Sequence, residues 1–155
     1  MLTKSQQLLL YLLELKGGVD DKTKIAKYQY FADFIHFAFN NKPISEPTIV
    51  YTRQKMGPLS RTLTEDLEYL EKNGFIKEEP AYNYKPIKKA KLTLTEEERK
   101  TAKYVINKYG DLQYSELVSI CHKQEPYLSA NDGGVIELVT SYNLVENYPD
   151  YASFS

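Results

Sequence analysis

The sequence predicts a mostly α-helical, compact single-domain bundle with one small β-hairpin, its segment 60–94 in a winged-helix-like helix–strand–hairpin order. Three observations lead there. Apolar residues recur at helical spacing in several separate segments. Capping residues and glycine stops bound those segments. Met56-Gly57-Pro58-Leu59-Ser60 opens a leucine-striped helix, which stops at Asn73-Gly74 before a short apolar run and a basic hairpin.

Ser5 to Leu15 reads as a first helix, with Leu8, Leu9, Leu12, Leu13 and Leu15 on one broad face and Lys16-Gly17-Gly18 as its stop. Asp20 or Asp21 caps a second helix, Lys22 to Phe39, by accepting from its free N–H groups. There Ile25, Tyr28, Ala32, Ile35 and Phe39 form a stripe, and Phe31, Phe34 and Phe37 widen it. A helix apolar nearly all round belongs at the centre of the core. Asn40-Asn41-Lys42-Pro43 breaks it, and Ile44 to Arg53 holds strand formers that Pro43 and Pro47 confine to a short or edge strand.

The Gly57-Pro58 turn then feeds a helix from about Ser60 to Lys72, striped by Leu59, Leu63, Leu67 and Leu70 at 4-4-3 spacing and capped by Ser60 or Thr62. Phe75 to Lys77 and Lys89 to Leu94 read as two strands joined by a long loop, Glu78 to Lys88. Thr95 with Glu98 is a capping box for a helix reaching Tyr109. A further helix runs from about Gln113 to His122, Pro126 ends that region, and Val135 to Asn143 is expected as a short last helix. Residues 1–147 are read as one domain and 148–155 as a loosely held, flexible C-terminal tail.

A 155-residue chain buries enough surface to need no disulfide or metal. A net charge of −1 points to no polyanionic partner, so nucleic acid would have to be held by a local basic patch. Cys121 is the only cysteine, which fits a reducing cytoplasm. The N-terminal residues lack the features of a signal peptide, and no apolar run reaches membrane length. The expectation is a cytoplasmic protein with no membrane partner. Fourteen tyrosines and no tryptophan suit half-buried positions and interfaces, although an AT-rich genome gives the same bias.

Chemistry-bearing patterns are sparse. His36 falls inside the central helix, as a core histidine would. Cys121 and His122 are adjacent, and helix neighbours point about 100° apart, so they do not form a nucleophile–base pair. No metal-ligand spacing and no phosphate-binding glycine loop occurs. No cofactor, metal or catalytic residue is assigned, and the chain is read as a non-enzyme.

A DNA-binding reading rests on lysines 77, 85, 88, 89 and 91, interleaved with Tyr82 and Tyr84. Its contact residues would be Arg53, Lys55, Arg61, Lys85, Lys88 and Lys89. Against it, the helix that would enter the groove carries Glu65, Asp66, Glu68 and Glu71. An acidic surface is repelled by phosphate before any base can be read.

Three segments resemble the Panacea domain, the family of SocA-like antitoxins. Lys24 to Asp33 resembles the family's lysine-bearing, tyrosine-rich helix ending in Ala-Asp. Lys55-Met56-Gly57-Pro58-Leu59-Ser60 resembles its aromatic-Gly-Pro-Val turn. Tyr114 to His122, followed by Glu125-Pro126-Tyr127, resembles its helix ending in Ser/Thr-His before a Pro-Trp pair. Met56, Leu59, Cys121 and Tyr127 depart from the usual residues at their positions. The resemblance spans about Ser5 to Tyr142. It implies a prokaryotic or phage protein-binding domain that neutralises a toxin encoded nearby or acts as an adaptor to a AAA+ protease. It also makes Gly57, Pro58, His122 and Tyr127 the motif residues. Gly57-Pro58 then sets a turn and His122 caps a helix C-terminus.

Overall fold

In the computed structural model, which describes residues 1–80 and 83–155, one helix is buried on every side. This is α2 (Lys22–Asn40), in which every residue from Ile25 to His36 is buried. Around it pack α1 (Lys4–Lys16), α4 (Glu96–Tyr109), α5 (Tyr114–His122) and a 3₁₀ helix (Leu138–Asn147). The protein is mostly α, as its periodicity implies. Each fully buried Phe or Ile of α2 (Ile25, Phe31, Phe34 and Ile35) contributes about 1.5–3 kcal/mol. Phe31 adds a stacked contact with Tyr109, their centroids 4.3 Å apart.

The caps act where the sequence places them. Thr3 and Gln6 form a capping box on α1, and Gly17 ends it at φ 73°. The Asp21 side chain accepts from Thr23 N–H at 2.6 Å. Thr95 and Glu98 box α4.

The β structure departs from expectation. β1 (Tyr51–Gln54) pairs with β2 (Gly57–Ser60) and with β5 (Val135–Ile136), giving the order β2-β1-β5. Gly57-Pro58 therefore opens a strand and does not feed a helix, and β1, short as expected, takes the central place. The prolines lie outside β1. Pro58, which has no N–H to give, sits on the edge strand β2. The helix α3 (Leu63–Lys72) starts later than expected, and its N-cap residue Thr62 makes no side-chain cap bond to it.

The second hairpin is shorter than expected: β3 (Ile76–Glu79) pairs with β4 (Asn83–Pro86) inside the stretch read as loop. Tyr84 exchanges two backbone bonds with Val19, of 2.9 and 2.8 Å, which draws the returning strand to the α1–α2 loop. Leu92 to Leu94 forms no strand. The Gln7 side chain takes over the role of a ladder there, accepting from Thr93 N–H at 2.7 Å. Tyr82 lies outside the described residues.

A short helix, α6 (Glu125–Leu128), has Pro126 in its first turn, so this proline starts a helix where it was expected to end one. Val135 to Asn143 divides into β5 and the 3₁₀ helix. The terminal residues, expected to be loose, are anchored. Tyr148 and Tyr151 are buried, and Tyr148 joins a chain of bonds in which Tyr109 Oη and Gln124 Nε2 each donate to its hydroxyl at 2.7 Å. Of the thirteen tyrosines among the described residues ten are buried, so most of them fill the core and join its parts by hydroxyl bonds.

Candidate functional site

The β1–β2 hairpin turns through Lys55-Met56, and neither residue has positive φ. The left-handed step falls on Gly57, at φ 107°. Two side chains from the α5–α6 region hold the tip. His122 Nε2 donates to the Lys55 carbonyl at 3.0 Å, and the Tyr127 hydroxyl donates to the Gln54 carbonyl at 2.7 Å. The two rings stack at 4.6 Å. His122 thus braces a hairpin from the last turn of α5.

Arg53 completes the brace. Its guanidinium lies 4.4 Å from the Tyr127 ring centre, and its Nη1 donates to the carbonyls of Tyr127 and Ala130. Asp132 stands at ion-pair distance from Nε, 3.3 Å, without hydrogen-bond alignment.

Lys27 lies beneath the hairpin. Its side chain is almost wholly buried, and Nζ donates to the Pro58 carbonyl at 2.9 Å. Burial lowers this ammonium to about 8, against smaller raising effects from Cys121 and Asp21. A Cβ on Gly57 would come within 2.6 Å of Lys27 Cε, so position 57 needs glycine for space as well as for φ. An open groove of about 390 Å³ runs between the start of α2 and this hairpin.

Asp33, two turns further along α2, anchors the approach to β1. It accepts from Ile44 N–H, Ser45 N–H, Ser45 Oγ and the Tyr51 hydroxyl, all within 2.6–2.9 Å. Burial raises its carboxyl to about 6, although all four bonds favour the charged form.

Gly57, Pro58, His122 and Tyr127, distant in sequence, therefore meet at one hairpin, and Arg53 joins them. The other basic candidates are scattered. Lys55 and Arg61 are exposed at the two ends of that hairpin. Lys85 pairs with Glu79 at 2.9 Å, Lys88 donates to the Asn73 carbonyl at 3.1 Å, and Lys89 is exposed beyond β4. Lys27 and Asp33 lie in the Lys24–Asp33 segment that carried the resemblance, but neither was expected to hold the site. The available signal was their charge within a helix apolar all round, since buried charges need partners. Cys121 is buried, its thiol raised to about 12 by desolvation. His36 is buried with Nδ1 on Thr101 Oγ1 at 2.8 Å.

Among the described residues no group of three His, Cys, Asp or Glu is placed to hold a metal ion, and no helix is long and apolar enough to cross a membrane. Fold and site define a small, mostly helical domain with a braced hairpin over its central helix. The family model described as "Antitoxin SocA-like, Panacea domain" matches residues 25–127, from the core of α2 to Tyr127 itself. The chain belongs to this antitoxin-like family. No curated protein and no solved structure matches it.

Proposed function

We propose that the protein is the antitoxin of a toxin–antitoxin pair. It binds a toxin protein encoded nearby and neutralises it, either by covering it or by delivering it to a AAA+ protease, and it acts in the cytoplasm by binding and not by catalysis. The observation that carries this reading is the family match over residues 25–127; within that span Gly57, Pro58, His122 and Tyr127 gather at one hairpin. Gly57, Pro58, His122 and Tyr127 serve the partner by fixing the shape of that hairpin. The test is co-expression with the product of the adjacent gene. A product that is toxic alone, tolerated with this protein and co-purified with it supports the reading. A product harmless alone that does not co-purify refutes it.

The runner-up is a winged-helix-like regulator of its own operon, favoured by the exposed lysines 77, 85, 88, 89 and 91. The observations weigh against it. Glu65, Glu68 and Glu71 are exposed on α3, and Lys85 and Lys88 already have protein partners. Upstream DNA titrated across a salt series decides, because phosphate contacts lose affinity steeply as salt rises. The same protein could also serve a phage or mobile element with another partner, which the gene neighbourhood would reveal.

A further inference from the structure

The groove beside the β1–β2 hairpin has two kinds of lining. Met56 and Leu59, with Ala26 buried beneath them, give it an apolar wall, and Lys22, Lys27 and Lys55 also line it, Lys27 almost wholly buried. No lining residue is acidic. Four lysines elsewhere pair with carboxylates: Lys4 with Glu98, Lys24 with Asp20, Lys85 with Glu79 and Lys100 with Glu97. Among the described residues the three groove lysines have no such pair. Lys22 donates to the Thr64 hydroxyl, and Lys27 to the Pro58 carbonyl. The chain as a whole carries −1, so this excess of positive charge is local.

Lys27 is the most telling of the three. A buried ammonium costs free energy unless it is well hydrogen-bonded and paired. It has three donors, and one is used by the Pro58 carbonyl. A carboxylate entering the groove would add to the charge compensation that Asp21 gives from within the chain, and the apolar wall beside it would cover a hydrophobic side chain.

We propose that this groove receives an acidic segment of the protein partner, one apolar side chain seated against Ala26, Met56 and Leu59, with a neighbouring carboxylate facing Lys22, Lys27 and Lys55. That the segment belongs to a protein partner rests on the antitoxin reading; the chemistry of the groove does not. The apolar wall distinguishes this occupant from a phosphate or a nucleic-acid backbone, neither of which would use it.

The experiment is a fluorescence-anisotropy titration of the full chain with a labelled peptide of about ten residues, acidic residues alternating with Leu and Phe. A peptide with Lys at the acidic positions is the control. The acidic peptide should bind saturably, lose affinity between about 0.05 and about 0.3 M salt, and outcompete inorganic phosphate. Lys55→Glu and Met56→Asp alter exposed positions, so both should keep the wild-type melting temperature. Each should weaken binding by about tenfold, while Lys89→Glu leaves it unchanged. Absence of saturable binding, equal binding of the basic peptide, displacement by phosphate alone or indifference to both groove variants overturns the proposal. So does self-association abolished by Lys55→Glu, which would make the occupant a second copy of the chain. If the peptide binds as expected and no adjacent gene product co-purifies, the antitoxin reading fails and the groove assignment stands.

Discussion

His122 Nε2 lies 3.0 Å from the Lys55 carbonyl oxygen, so the last residue of α5 holds the tip of a hairpin sixty-seven positions earlier in the chain. Replacing it with alanine removes this bond and the stack on Tyr127. His122→Ala should lower stability by about 1–2 kcal/mol. It should also speed amide exchange at residues 53–57 while leaving α1 and α4 protected. Denaturant titration with hydrogen exchange resolved by residue checks both, and uniform exchange throughout would remove the bracing role.

Gly57 and Lys27 are coupled by space. Gly57→Ala imposes both an unfavourable φ and a Cβ 2.6 Å from Lys27 Cε. It should cost about 2 kcal/mol or more. In a Lys27→Ala background the same change should cost about 1 kcal/mol less, since only the backbone term remains. A double-mutant cycle measured by urea unfolding decides; strict additivity would mean that the hairpin moves away from α2 without penalty.

Much of the helical frame was legible in the sequence. Stripes, capping boxes and glycine stops are local signals, and α1, α2, α4 and α5 follow them closely. The strands were not, because partners distant in sequence choose them. Val19 fixes the position of β4 through Tyr84, Gln7 replaces a strand partner for Thr93, and β5 returns from residue 135 to pair with β1. Gly57, Pro58, His122 and Tyr127 were named together from the resemblance alone, and the bonds that His122 and Tyr127 make to the hairpin were not legible. Each acts on a backbone carbonyl of another element, and no spacing announces such a bond.

Asp33 and His36 should oppose each other in acid. Burial raises the Asp33 carboxyl from 3.8 to about 6, so the folded state holds that proton more tightly and stability rises as pH falls through this window. Burial lowers His36 from 6.5 to about 4, so the unfolded state binds that proton more tightly and stability falls as pH falls. The two slopes nearly cancel in the wild type. Asp33→Asn should therefore lose about 2 kcal/mol of stability between pH 7 and pH 4.5. His36→Gln should gain about 1 kcal/mol between pH 7 and pH 5. Urea unfolding at fixed pH values gives both slopes, and slopes of the same sign in the two variants would contradict the assignment.

Removing residues 148–155 should be costly. Tyr151 donates to Glu97 and lies 2.6 Å from the Thr101 hydroxyl, while Tyr148 links Tyr109 to Gln124. Both rings are buried. Truncation after Asn147 should lower stability by at least about 3 kcal/mol, the scale of losing buried aromatic side chains. A melting temperature equal to that of the full chain would return these residues to the status of a tail.

Toxin neutralisation through the braced-hairpin face, as proposed above, is open to a direct test. The most direct measurement is growth of cells expressing the adjacent gene product with wild-type protein or with Lys55→Glu, together with co-purification of the pair. The account predicts rescue and a stable complex with the wild type, and loss of both with a folded Lys55→Glu variant. Growth arrest that the wild-type protein does not relieve, with no complex recovered, would contradict it.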